Sequence, residues 1–291
     1  MNKKNLFLWS LYDFANSIVF INLLLYFAQW LVIDGGLSDF WYNAIFAITT
    51  VLLLLSAPAL ASYVDRSGGR KFFLNLMIVG TVVSYGLAVA AAYLGPSYVI
   101  LAALLFLAGQ YFYQFSFIFY NSMIEDVAPL EQRGRASGIG QFFNALGQFS
   151  GLLLTLPFAG SRLTPVAISI AVFFILALPM MIYFKESRAR GQTMRASDLR
   201  EDTRVFFRKM TVFFSVSVSV PMLFAFFFFN DAIITLTNNY SIVLERVFAV
   251  GDTQKSLVLM GIVIMSALGG ALVGWVGDRI GNLPTLKITL L

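Results

Sequence analysis

The chain has 291 residues, of which 59% are hydrophobic and 12% charged, with a mean hydropathy of +0.80 and a formal net charge of +5. A soluble domain carries roughly 25% charged residues, so this composition fits lipid rather than water as the main solvent. The absence of cysteine and histidine excludes disulfides, thiolate nucleophiles, His-ligated metals, haem and imidazole acid–base chemistry, and no cofactor, metal site or catalytic centre is expected.

Apolar runs fall near residues 6–33, 40–63, 72–94, 98–124, 136–160, 163–184, 211–241 and 256–276. Each reaches the roughly 20 residues that a helix needs to cross a bilayer. The pattern predicts an all-α integral membrane protein with about eight transmembrane helices. The stretch "LPTLKITLL", from Leu283 onward, reads as the start of a ninth. Lys3 and Lys4 before the first run imitate a secretory signal, but Asp13 and Asn16 inside the run and the lack of a small-residue cleavage site identify it as a retained helix.

Seventeen of the 20 Lys and Arg lie at the N-terminus or in alternate connections on that side of the membrane, and only Arg162, Arg246 and Lys255 lie on the other. Cytoplasmic loops hold such an excess, so the N-terminus is expected to be cytoplasmic. The basic residues sit in short segments between apolar runs rather than on one face, which speaks against a nucleic-acid partner. Short loops and a compact N-terminus fit a bacterial cytoplasmic membrane.

The one sizeable connection, Lys185 to Lys209, is polar and basic. It divides the chain into an expected six-helix bundle over 1–184, a cytoplasmic linker over 185–209 and a partial second bundle over 210–291. Transporters built from two six-helix halves have this form. Features of the first part recur in the second: Asp13 and Asp231 stand 218 positions apart, and the pairs Asp65-Arg66 and Asp278-Arg279 stand 213 apart. Two correspondences at nearly one offset suggest an internal repeat.

The connection "GWVGDRIGN", with Gly274, Asp278, Arg279 and Gly281, resembles the signature loop of the major facilitator superfamily. The earlier copy, "SYVDRSGGRK", has Ala61 at the leading glycine position and one extra residue. The set "LYDFANS", "FYNSMIEDV", "RGRASGIG" and "FFND" is similar to the vacuole effluxer-like family within that superfamily. The resemblance covers essentially the whole chain and implies a helical bundle of about twelve spans, so roughly four would be missing here. It also implies an amino acid or similar small metabolite as solute.

Intramembrane polar residues form stripes. Gln110, Gln114, Asn121 and Glu125 fall within one strip about 60° wide at ~100° per residue. Asp13 with Asn16, Gln141 with Asn144 and Gln148, and Asp231 with Thr235 and Asn238 form three more. A carboxylate at the bilayer centre costs at least ~2.5 kcal/mol, so the stripes line a cavity or grip another helix. For Gln141, Asn144 and Gln148, interhelical bonding and cavity lining stand as equal readings. The expected solute and coupling pathway comprises Asp13, Asn16, Gln110, Gln114, Asn121, Asn144, Asn230 and Asp231. The expected gating residues are Asp65, Arg66, Arg70, Glu125, Asp126, Arg133, Arg135, Gly274, Asp278 and Arg279. For Glu125 and Asp126 an ion pair with Arg133 or Arg135 competes with proton coupling. Gly140, Gly147 and Gly151 form a smooth face on the fifth run that permits close helix contact, static or sliding.

These features favour a secondary active transporter working by alternating access, with the bilayer and a small solute as partners and protons or another ion as the coupling species. No P-loop is present to supply ATP hydrolysis. The alternative is a truncated, non-transporting scaffold or remnant of such a transporter. An intramembrane enzyme lacks paired acids within a span. No feature specifies an oligomeric state.

Overall fold

The computed structural model describes residues 1–186, 196–216 and 220–289, and among these there is no strand. The side chains of Asp65, Arg66 and Asp278 and the surroundings of Gly274 lie outside the described residues, as does the part of the connection at 187–195.

Helix α1 (Lys3–Asn22) begins where the Asn2 side chain accepts a hydrogen bond from the Asn5 amide at 3.2 Å. It runs on into two wider π turns, Leu23–Phe27 and Trp30–Asp34. α2 (Asp39–Ser67) is capped by Ser38 and ends at Gly68, whose φ of 71° suits glycine. α3 (Arg70–Tyr93) has no cap from its own chain neighbours; the Glu186 carboxylate, 2.9 Å from the Arg70 amide and 3.2 Å from that of Gly69, satisfies its free N–H groups. α4 (Val99–Ser122), the short α5 (Ile124–Val127), α6 (Arg133–Thr155) and α7 (Thr164–Tyr183) complete the first part of the chain. α8 (Ala196–Val216) takes up residues read from the sequence as linker and runs beside α2. α9 (Val220–Phe248), α10 (Asp252–Ile280) and α11 (Asn282–Thr289) follow. The turn after α10 uses Gly281 at φ 89°, the counterpart of Gly68 after α2.

Seven helices among the described residues are long and apolar enough to cross a membrane. Of the eight runs read from the sequence, the fifth is the exception. It corresponds to α6, whose two arginines, Gln141, Asn144, Gln148 and glycines lower its hydropathy. Its polarity has a partner: α6 packs along α1, which is the axis of the bundle. The apolar window of α1 is 89% buried, whereas that of α9 is 0% buried. α7 flanks α1 on another side, α3 packs on α4, and α9 and α10 touch the π region of α1 and α6 respectively. Phe226 to Phe229 on α9 are exposed.

Glycine sets the α1–α6 spacing. A Cβ on Gly147 would overlap the Phe14 backbone, and one on Gly151 would lie 3.0 Å from Ile18 Cα. Small residues allow such approach, and dispersion between the two backbones replaces the hydrophobic force that lipid does not supply. Gly147→Ala is therefore expected to cost about 1–3 kcal/mol by overpacking, seen as a lower thermal midpoint of the purified chain. Gly138→Ala, on the same helix with open space around it, is expected to leave that midpoint unchanged or raise it.

Candidate functional site

Near the N-terminal end of α1 a cavity of about 360 Å³ opens between α1, α4 and α6. Among the described residues its carboxylate is Asp13, 5% exposed, which lies nine residues beyond Lys4 on α1. Asn144 of α6 donates its amide to Asp13 Oδ1 at 3.2 Å, and Gln148 one turn on donates to Asn144 Oδ1 at 2.8 Å. The bond between stripes fixes the carboxamide with its N–H toward the acid. Trp9 and Tyr120 stack in the wall with centroids 4.6 Å apart, and the Trp9 indole N–H donates to the Tyr120 carbonyl at 3.0 Å. Gly140 faces this wall: a Cβ there would lie 2.6 Å from the Trp9 ring and 3.7 Å from Asp13 Oδ2. Asn121 and Gln141 form an exposed rim.

A cluster at the same end joins four elements. Buried Arg70 donates to the Ser122 carbonyl at 3.0 Å and to Glu125 Oε2 at 3.1 Å, and Arg133 lies 3.8 Å from Glu125 Oε1. Glu125 thus pairs with Arg133, as the sequence allowed, and also with Arg70 from the start of α3. Asn5 donates to the carbonyls of Asp126 and Lys185, tying the start of α1 to α5 and to the end of α7. Arg135 is exposed.

At the opposite end, charged residues from distant parts of the chain converge. Arg162, between α6 and α7, donates to Asp34 at 2.8 Å, to both Glu245 oxygens at 2.6 Å and to Asp252 at 3.4 Å. Burial alone would lower the Arg162 pKa; hydrogen bonding to Glu245 and the charges of Asp252, Asp34 and Glu245 outweigh it and raise it. Lys255, fully buried, bonds to Gln29 at 2.6 Å, Glu245 at 2.7 Å and Asp252 at 2.8 Å. Its three donors are all used, the condition under which a buried ammonium is tolerated. Around this core Tyr26 bonds Ser256 at 2.7 Å, Ser241 donates to the Leu24 carbonyl, Tyr42 donates to the Asn238 carbonyl and Asn43 pairs with Asn239. Arg246 pairs with Asp39 at 2.5 Å, but both are about half exposed, so this bond adds little.

Of the residues expected in the pathway, the cavity brings together Asp13, Asn121 and Asn144. Asn16 and Gln110 are buried outside it, and the Asn16 carbonyl oxygen has no hydrogen-bond partner among the described residues. Gln114 is exposed despite sharing a stripe with Gln110, and Asn230 and Asp231 lie on α9 away from the cavity lining, Asp231 exposed. Arg279 is exposed at the end of α10. The sequence reading missed Trp9 and Tyr120, which pass for ordinary apolar wall, and the network around Arg162 and Lys255. A signal for the latter was present. The three basic residues on the sparsely charged side are the three that pair with acids here.

A family model described as Major Facilitator Superfamily matches residues 5–291, almost the whole chain. No curated protein matches it. With a polar cavity at one end of a buried first helix, ion-paired closure at the other and this match throughout, the chain belongs to the Major Facilitator Superfamily of membrane transporters.

Proposed function

We propose that the chain works as a secondary transporter by alternating access, with two bundles meeting along α1 and a small solute binding beside Asp13. The observation that carries this reading is the asymmetry of α1. Its N-terminal part borders a cavity with an exposed rim, while its π turns are clamped to α9 and α10 by Tyr26, Gln29 and Asp34 and their partners. If the N-terminus is cytoplasmic, as the Lys and Arg distribution supports, the molecule stands in an inward-facing state. The Arg162–Glu245–Asp252–Lys255 network is then the outer gate. Two cations and three acids hold it shut, and a rocking of the two parts would break it as a unit.

Asp13 is the proposed coupling site. Its carboxylate is the titratable group of the cavity best able to exchange a proton with solvent, with Tyr12 beside it on α1 and Tyr113 and Tyr120 facing it from α4. Glu125 and Asp126 on α5 and Arg133 and Arg135 on α6 lie nearer the membrane surface. Arg70 and Glu125, paired at 3.1 Å within the first part of the chain, are proposed to brace its loops during gating, and the Asp65-Arg66 and Asp278-Arg279 connections are proposed as paired anchors of the two bundles. Asn230 and Asp231 are proposed to enter the pathway when the outer gate opens.

Asp13→Asn is expected to abolish ion-driven accumulation of solute in reconstituted vesicles, at least a tenfold loss, while leaving the purified chain folded; retained proton-dependent uptake would remove Asp13 from coupling. The gate is tested by labelling. Because the chain has no cysteine, Ser256→Cys is a unique thiol, and as Ser256 is fully buried it should react slowly with reagents added from the Arg162 side. Adding Arg162→Ala leaves Asp34 without its partner and Lys255 alone to balance Glu245 and Asp252, and the rate should rise about tenfold, the effect of ~1.4 kcal/mol on a two-state equilibrium. A scaffold with no moving gate would show the same rate in both.

A further inference from the structure

The lining of the cavity beside Asp13 has one sign of charge. Asp13 is more than nine-tenths buried, and among the described residues no lysine or arginine forms an ion pair with it. The basic side chains of the surrounding elements are committed elsewhere or exposed: Lys3 and Lys4 of α1 are exposed, Lys4 over the Tyr183 ring at 5.5 Å, Arg70 and Arg133 pair with Glu125, and Arg135 is exposed. Asn144 supplies a single neutral N–H to one carboxylate oxygen. The other oxygen, Oδ2, lies 3.7 Å from where a Cβ on Gly140 would stand, and the absence of that side chain is what lets the Trp9 ring pack against α6 beside the acid. Trp9, Phe117 and Tyr120 line the same space.

A buried carboxylate without a cation is a costly arrangement unless a proton or a cationic ligand neutralises it, and the two then compete for the same acid. Aromatic rings beside it add attraction for a positive group through their quadrupoles, the means by which ammonium groups are recognised. An anionic solute would be repelled. A zwitterionic amino acid would find a partner for its ammonium, but no lysine or arginine lines the cavity to receive its carboxylate. The volume of about 360 Å³ is near the lower end of the roughly 300–1,000 Å³ usual for ligand sites, so it suits a small head group.

Building on the transporter reading, we propose that the cavity binds the ammonium group of a small organic monocation, held between the Asp13 carboxylate and the rings of Trp9, Phe117 and Tyr120. The cation neutralises Asp13 on binding. The substrate class is thereby cationic amines rather than free neutral amino acids.

The test is equilibrium binding of tetramethylammonium, ethylammonium, glycine and acetate to the full chain in lipid nanodiscs. Trp9 emission is read after Trp30, Trp41 and Trp275 are changed to Phe. Saturable changes with the two cations, and none or at least tenfold weaker ones with glycine and acetate, are expected. Asp13→Asn should weaken cation binding at least tenfold, Asp13→Glu should retain it within a few fold, and Gln141→Lys, at the exposed rim, should weaken it without touching the buried acid. Glycine binding as tightly as the cations, or Asp13→Asn binding tetramethylammonium like the parent, would overturn the proposal. Labelling of Ser256→Cys on the same preparation separates the two readings. A gate that opens with no cation binding defeats the substrate class alone, whereas cation binding with a gate that never opens defeats the transporter reading.

Discussion

Charge inside a bilayer has to be compensated on the spot, because there is no water to do it from a distance. The molecule meets that demand in two ways. At the Arg162 end, Lys255 and Arg162 are surrounded by acids and an amide until their donors are used, and the cluster draws its members from α1, the α6–α7 connection, α9 and α10. At the other end the acid of α1 receives a carboxamide hydrogen and, among the described residues, no ion pair. The first arrangement is fully paired; the second leaves its acid without a cation among the described residues. That difference, more than any single contact, gives the helix bundle a direction.

α1 connects the two. It is the most buried span, it lies so near α6 that glycine is required at the crossing, and it carries polar side chains at both ends. Asn22 adds a buried tie in the middle, accepting from Thr155 of α6 at 2.7 Å. In the proposed alternating-access cycle the first part of the chain would move as a block around α1: the α1–α6 contact is too close for easy sliding, which leaves motion to the surfaces that meet α9 and α10. The N-terminal cluster of Arg70, Glu125 and Arg133, together with Glu186 capping α3, stiffens the same block where the loops would otherwise be loose.

Hydropathy made the spans legible because it needs only neighbours in sequence. The run at 136–160 became α6, which falls below the hydropathy of the other spans because its polar and glycine residues are matched by a partner 131 positions earlier, as Asn144 and Asp13 show. Helical periodicity correctly put Gln110 and Gln114 on one side of α4, yet one is buried and the other exposed; a stripe about 60° wide is broader than the boundary between packed and open surface. Asp13 stood out as an intramembrane acid, but the aromatic wall did not, since Trp9 and Tyr120 look like any apolar helix residue until their rings are seen stacked. The Arg162 network joins residues up to 226 positions apart, as in Gln29 with Lys255, and no local pattern encodes such a meeting. Its one trace was a departure from the charge asymmetry, basic residues placed where few are tolerated.

The two π turns of α1 bear on how such a closure could be undone. Each holds its backbone in i to i+5 bonds, such as those from Ala28 to Leu23 and from Gly35 to Trp30, and such turns are rare outside working parts of proteins. Tightening one of them into an ordinary turn would shed a residue from the coil and swing everything beyond it by about 100°. Tyr26, Gln29 and Asp34 lie within or just past these turns, so a local rewinding would carry them off their partners together, a screw thread built into the helix that the rest of the bundle holds still.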